Sequence, residues 1–136
     1  GFARYQLHFP HDLPRERIAQ WAEIVGRENL WLAPKLPPGE AFPEDLLEFS
    51  DFFLVDAFSE DAYGGTGETA DWSRFAHRKN RWPDKNWILA GGLSPDNVAA
   101  ALAATGTERI DANSGVETSP GIKDPDKIRA FFEALA

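Results

Sequence analysis

At five places in the 136-residue chain a strand-like stretch ends in residues that can do chemistry: His8, Lys35, Asp56, the pair Gly91-Gly92, and Asp111 followed by Asn113-Ser114-Gly115. Asp56 directly follows Phe52-Phe53-Leu54-Val55, an apolar run of the kind found in strands buried on both faces. If the strand continues through Asp56, the two-residue alternation sets its carboxyl on the face of Leu54 and Phe52. An aspartate facing the interior end of a barrel loses water, and burial favours the neutral acid, which can then donate a proton near neutral pH. An aspartate at a strand end can equally cap the following loop. For His8 and Lys35, polar residues also mark where buried strands emerge into water.

The glycine turns suggest an anion. Gly91-Gly92 stands between an apolar stretch and Ser94-Pro95, a helix start, so backbone N–H groups can approach a phosphate with no side chain in the way. Ser114-Gly115 offers a second set of donors, and a phosphate site shared by the loops after strands seven and eight recurs in (β/α)₈ barrels. Tight turns alone explain one such loop more easily than two. Gly64-Gly65-Thr66-Gly67 is a longer loop, suited to a lid, and it matches neither the P-loop nor the dinucleotide fingerprint. No metal site is expected, because Phe9-Pro10 separates His8 from His11 and His77 sits on a surface helix.

Alternating strand and helix patterns place these residues. Strands are expected at Phe2 to Phe9, Leu30 to Lys35, Phe52 to Val55, Asn86 to Ala90 and Arg109 to Ala112. Helices are expected at Pro14 to Val25, Pro43 to Phe49, Asp71 to Lys79, from a Ser94 cap to Gly106, and from Asp124 to the end. Five strands and five helices in this order make a parallel α/β sheet whose strand ends share one edge, where ligands bind.

Composition narrows the function classes. The net charge is −8, and the one basic stretch, Arg74 to Lys85, is interrupted by Trp82 and Asp84, so no nucleic-acid partner is expected. No apolar run is long enough for a membrane span and no signal peptide opens the chain, which points to a soluble, cytoplasmic protein without a membrane partner. The absence of cysteine removes disulfides and a thiolate nucleophile, and the chain has no methionine, even at its start.

Three ordered segments now carry a resemblance. Asp56 with Tyr63-Gly64-Gly65-Thr66-Gly67 and Asp71-Trp72, then Ile88 to Leu93 with Pro95, Asn97 and Val98, then Asp111 to Glu117 with Pro120 to Asp124 resemble the sixth, seventh and eighth βα units of the phosphoribosylanthranilate isomerases. Tyr5-Gln6-Leu7-His8 is similar to that family's fourth strand. Phe9, Ala70 and Asn113 depart from the usual glycine, aromatic and serine.

The resemblance implies a (β/α)₈ TIM barrel, here a single domain over residues 1–136 forming a partial barrel of about five βα units. It implies an Amadori rearrangement of N-(5-phosphoribosyl)anthranilate to 1-(2-carboxyphenylamino)-1-deoxyribulose 5-phosphate, in tryptophan biosynthesis, with no cofactor. Asp56 would be the general acid. Gly91, Gly92, Asn113, Ser114 and Gly115 would hold the phosphate, Asp111 would sit beside the sugar, and His8 and Gly65 would complete the substrate site. The family's general base, a cysteine on the first strand, and an arginine after the second strand have no counterpart here. The expectation is therefore that about three units precede Gly1 and that this piece alone is inactive, with open strand edges available for association. Another phosphate-binding barrel enzyme and a non-catalytic phosphate-binding module are the rival readings.

Overall fold

The computed structural model describes residues 1–57 and 68–136. Its elements are β1 (Tyr5–Pro10), α1 (Arg15–Val25), β2 (Leu30–Lys35), a 3₁₀ turn (Glu44–Glu48), β3 (Phe52–Asp56), α2 (Glu68–Arg81), β4 (Asn86–Ala90), α3 (Val98–Thr105), a 3₁₀ turn (Ser114–Val116), β5 (Glu117–Ser119), β6 (Ile122–Lys123) and α4 (Pro125–Leu135). β1 to β4 form one parallel sheet in chain order, and β5 and β6 form a separate antiparallel hairpin.

The alternation along the strands separates two apolar layers. Phe9, Leu30, Leu32, Phe53, Val55, Trp87 and Leu89 share a core with Ile18 of α1, Trp72 and Phe75 of α2, Val98 and Ala101 of α3, and Phe131 of α4. The helices thus cover one face of the sheet. The intervening residues, Ala33, Leu54, Ile88 and Ala90, form a second, smaller cluster with Trp31 and Phe52 at its margin. At the N-terminal ends of these strands the Trp31 and Phe52 rings stack with centroids 5.6 Å apart, and Arg4 lies over the Phe52 ring at 5.2 Å. That cation on an aromatic face closes one end of the second layer.

Several expected elements change. The fifth strand, Arg109 to Ala112, is reduced to one parallel bridge, Leu89 with Ile110, held by Leu89 N–H to the Arg109 carbonyl (3.0 Å) and Asp111 N–H to the Leu89 carbonyl (2.8 Å). Thr107 explains the shortening: its hydroxyl accepts from the Arg109 N–H and donates to the Trp87 carbonyl, both at 3.3 Å. A side chain thereby stands where the next ladder bond would form. The chain thus has four full strands in its parallel sheet and a bridged segment, not five βα units of equal kind.

The expected helix at Pro43 to Phe49 is a five-residue 3₁₀ turn closed by Leu46 N–H to Pro43 and Phe49 N–H to Leu46. So short a segment does not recover the cost of α-helix nucleation. The first strand starts at Tyr5 rather than Phe2, because the Tyr5 N–H to the Asn29 carbonyl (2.9 Å) is the first bond of the β1–β2 pairing. α2 runs beyond the expected Asp71 to Lys79 at both ends. The helix expected from a Ser94 cap starts at Val98, while α4 begins at Pro125 as the expected start at Asp124 required, the Asp124 carboxylate accepting from the N–H groups of Asp126 and Lys127.

Candidate phosphate-binding and catalytic site

Parallel strands deliver their C-terminal ends to one edge, and the predicted residues gather there in neighbouring pairs. Asp56 ends β3 in register with Ala90, the last residue of β4, and the Ala57 N–H bonds the Ala90 carbonyl at 2.8 Å. Gly91 and Gly92 follow at once, with φ of 96° and 62°, in the left-handed region where a side chain is strained. Asp111 joins the same edge through its N–H to Leu89.

The two glycine loops touch. A β-carbon on Gly115 would lie 1.9 Å from the Leu93 carbonyl oxygen and 3.1 Å from the Ser94 Cα, so only glycine permits this approach. The loop after β4 and the loop after the bridged segment are therefore one surface. Asn97 fixes the first loop: its Oδ1 accepts from the Ser94 N–H (2.8 Å) and its Nδ2 donates to the Gly92 carbonyl (2.9 Å). The role expected of Ser94 is thus taken in part by Asn97, and three turn residues separate Ser94 from α3.

The second loop is tied down by lysines. Lys123 Nζ donates to the Asn113 carbonyl (3.0 Å) and the Asn113 Oδ1, and forms an ion pair with Glu117 at 2.8 Å. Lys127 Nζ donates to the Glu117 carbonyl at 2.6 Å. The Lys123 hydrogen bond, with a backbone N–H from Gly121, holds the Glu117 carboxyl below the usual carboxylate range against partial burial. With its Oδ1 facing the ammonium, Asn113 presents Nδ2, a donor, elsewhere.

Asp56 shares the face of Phe52 and Leu54, as the alternation required, but it is exposed. Burial, the physical argument offered for its acidity, is not met among the described residues. His8 lies on β1 in register with Ala33, and its Nε2 stands 3.0 Å from Gln6 Nε2. Alternation puts Gln6 and His8 on the face of Trp31 and Ala33, but two strand spacings separate β1 from β3, about 10 Å. His8 therefore shares the face but not the immediate neighbourhood of Asp56. Lys35 ends β2, exposed. Gly65 lies outside the described residues, as does the rest of the glycine loop expected to act as a lid.

Sequence reasoning did not single out Asn97 or Lys123 for the site. Asn97 had a signal, an amide side chain at a turn position three residues after Ser94. Lys123 had none, since ten residues and a hairpin separate it from Asn113. That hairpin was itself legible in Pro120-Gly121 between two short extended runs, with Gly121 at φ 82°.

Comparison with known proteins gives the site a context. Residues 16–134 match the family model described as N-(5'phosphoribosyl)anthranilate (PRA) isomerase. The chain is 39% identical over 142 residues to the N-(5'-phosphoribosyl)anthranilate isomerase of Zymomonas mobilis subsp. mobilis, a match covering 99% of this chain and 63% of that protein. Among solved structures, the phosphoribosyl anthranilate isomerase of Thermotoga maritima superposes with a TM-score of 0.69 at 31% identity, over 95% of this chain and 60% of that one. A phosphoribosyl anthranilate isomerase solved in complex with reduced 1-(o-carboxyphenylamino)-1-deoxyribulose 5-phosphate superposes with a TM-score of 0.57 at 25% identity, over 95% of this chain and 69% of that one. The chain thus spans a little under two thirds of the length of the curated relative. Nothing in these matches supports the expectation that the chain by itself is inactive. No helix among the described residues is long and apolar enough to cross a membrane.

Proposed function

The chain belongs to the N-(5'-phosphoribosyl)anthranilate isomerase family, and from that premise we propose that its substrate is a phosphorylated sugar bearing an aromatic amine, rearranged at the edge where β3 and β4 end. The observation that carries the reading is the contact of Gly115 with Leu93, which joins two glycine loops into one surface. Backbone N–H groups of Gly91, Gly92, Ser114 and Gly115, with the Asn113 amide, are the donors proposed for the phosphate. Lys123, paired with Glu117, fixes the Asn113 carbonyl of the same loop.

The reaction proposed is the rearrangement of N-(5-phosphoribosyl)anthranilate to 1-(2-carboxyphenylamino)-1-deoxyribulose 5-phosphate. Asp56 donates a proton to the ribose ring oxygen as the bond from that oxygen to C1 breaks, leaving an iminium at C1. Loss of the C2 proton gives an enolamine, and proton return at C1 with loss of the C2 hydroxyl proton gives the aminoketone. C1 is reduced as C2 is oxidised, so no external electron carrier enters. The chain has no cysteine, so the thiolate base implied by the family resemblance is not among its 136 residues, and none of them is assigned the C2 proton. Asp111, half-buried one strand from Asp56 across β4, is the group proposed to orient the sugar hydroxyls, and His8 and Gly65 are proposed to line the remainder of the site.

The test is loss of anthranilate fluorescence from the substrate in the presence of the purified protein, alongside calorimetric binding of the reduced product analogue. Turnover together with analogue binding that fails in Gly115→Ala supports the reading. An analogue that binds equally well to Gly115→Ala removes the glycine loops from the site.

A further inference from the structure

The basic stretch from Arg74 to Lys85 has no part in the site above, yet its residues Arg74 to Trp82 line one side of a separate cleft. This cleft, of about 370 Å³, lies between Gly39 to Glu44 and the outer side of α2. Arg74, His77, Arg78 and Arg81 follow the i, i+3, i+4, i+7 row of one helix face and form its cationic wall. Glu40 and Glu44 stand on the opposite wall, and Phe42 and Trp82, with centroids 5.9 Å apart, give it an aromatic lining. Its volume lies within the range of small-molecule sites.

The charges are not all committed to the fold. Arg81 bonds Glu44 at 3.1 Å and lies over the Trp82 ring at 5.1 Å, so those two charges neutralise each other at one end. Among the described residues no hydrogen bond or ion pair engages the side chain of Arg74, His77 or Glu40. One cation-rich wall, one remaining carboxylate across from it and an aromatic lining call for a ligand with a ring, an anionic group and a cationic group.

We propose that this cleft binds a small aromatic amino acid, its ring against Phe42 and Trp82, its carboxylate toward Arg74 and its ammonium toward Glu40. The proposal is independent of the isomerase reading, because none of the lining residues belongs to the strand-end site. A ligand with only one of the two charges leaves the other wall unpaired and binds less tightly.

The experiment is calorimetric or ligand-observed NMR titration of the full chain with L-phenylalanine, 3-phenylpropionate and phenethylamine. The expected result is that L-phenylalanine binds at least about threefold more tightly than either analogue. Arg74→Ala and Glu40→Gln, both at exposed positions, each weaken it by about threefold or more, as for partly exposed ion pairs. Circular dichroism melts matching the parent show that these variants remain folded. Absence of L-phenylalanine binding, equal binding of the three probes, or affinity unchanged in both variants would overturn the proposal.

Discussion

Gly115 meets the Leu93 carbonyl so closely that a β-carbon would sit 1.9 Å from its oxygen. No side-chain rotation relieves that contact, because both partners are backbone. Gly115→Ala is therefore expected to push the two loops apart. Stability should fall by about 2 kcal/mol or more, the range of severe backbone strain, and phosphate-ligand affinity at least about tenfold. Thermal melts and calorimetry on the same samples check both, and an unchanged affinity would show that the loops bind nothing jointly.

Asp56→Asn keeps the shape of the strand end and removes the carboxyl proposed as the acid. Turnover should drop by about 10² to 10⁴, the usual contribution of a positioned acid, while the reduced product analogue binds as before. Steady-state kinetics beside calorimetry separates the two quantities. Turnover equal to the parent would take the acid role away from Asp56.

Asn97→Ala deletes both hydrogen bonds that hold Gly92 and Ser94 in place. A loss of about 1 to 2 kcal/mol follows from two partly exposed hydrogen bonds, with weaker ligand binding and a higher KM at nearly constant kcat. Urea titration measures the first effect and kinetics the second. Asn97→Asp, which keeps the acceptor for the Ser94 N–H, should recover part of the stability.

At the opposite end of the sheet, Lys85 donates to the carbonyls of Leu47 (2.9 Å) and Ser50 (3.2 Å) and to Asp51 (3.2 Å), and Arg27 reaches Asp51 at 2.7 Å. Burial pushes the Asp51 carboxyl up, but hydrogen bonds and charge from Arg27 and Lys85 outweigh it and hold the carboxyl below its ordinary 3.8. A carboxyl held low in the fold stabilises it above the unfolded value and loses that contribution as pH falls toward the lower folded value. Urea midpoints should therefore decline below about pH 4, and Asp51→Asn should flatten that decline. A slope identical in the variant would assign the acid sensitivity to Asp45, also held low by Arg15, or to Glu117.

Much of the fold could be read locally. The Phe52-Phe53-Leu54-Val55 run, the helix start at Asp124 and the helix end at Gly106 depend on neighbours a few residues away, and the structure bears each of them out. The strand Leu30–Lys35 is recovered to the residue. Arg109 to Ala112 misled for a specific reason: it has a strand's composition, but the Thr107 hydroxyl occupies the bond that would extend its pairing. Ser94 misled similarly, since a serine before proline suits a cap, whereas the Asn97 amide bonds the chain into a turn before α3 begins.

By itself the sequence determined the bounds of the strands Leu30–Lys35 and Asn86–Ala90 and that Asp56 takes the face of Phe52 and Leu54. Periodicity and turn chemistry are short-range, and they are enough for that. The tertiary structure alone decided that Gly115 rests on Leu93, that Lys123 holds Asn113, that Asp56 is exposed, and that the α2 arginines face Glu40 and Glu44 across a cleft. Each of these joins segments brought together only when the helices bury their apolar faces against the sheet, a long-range consequence of excluding water that no local pattern encodes.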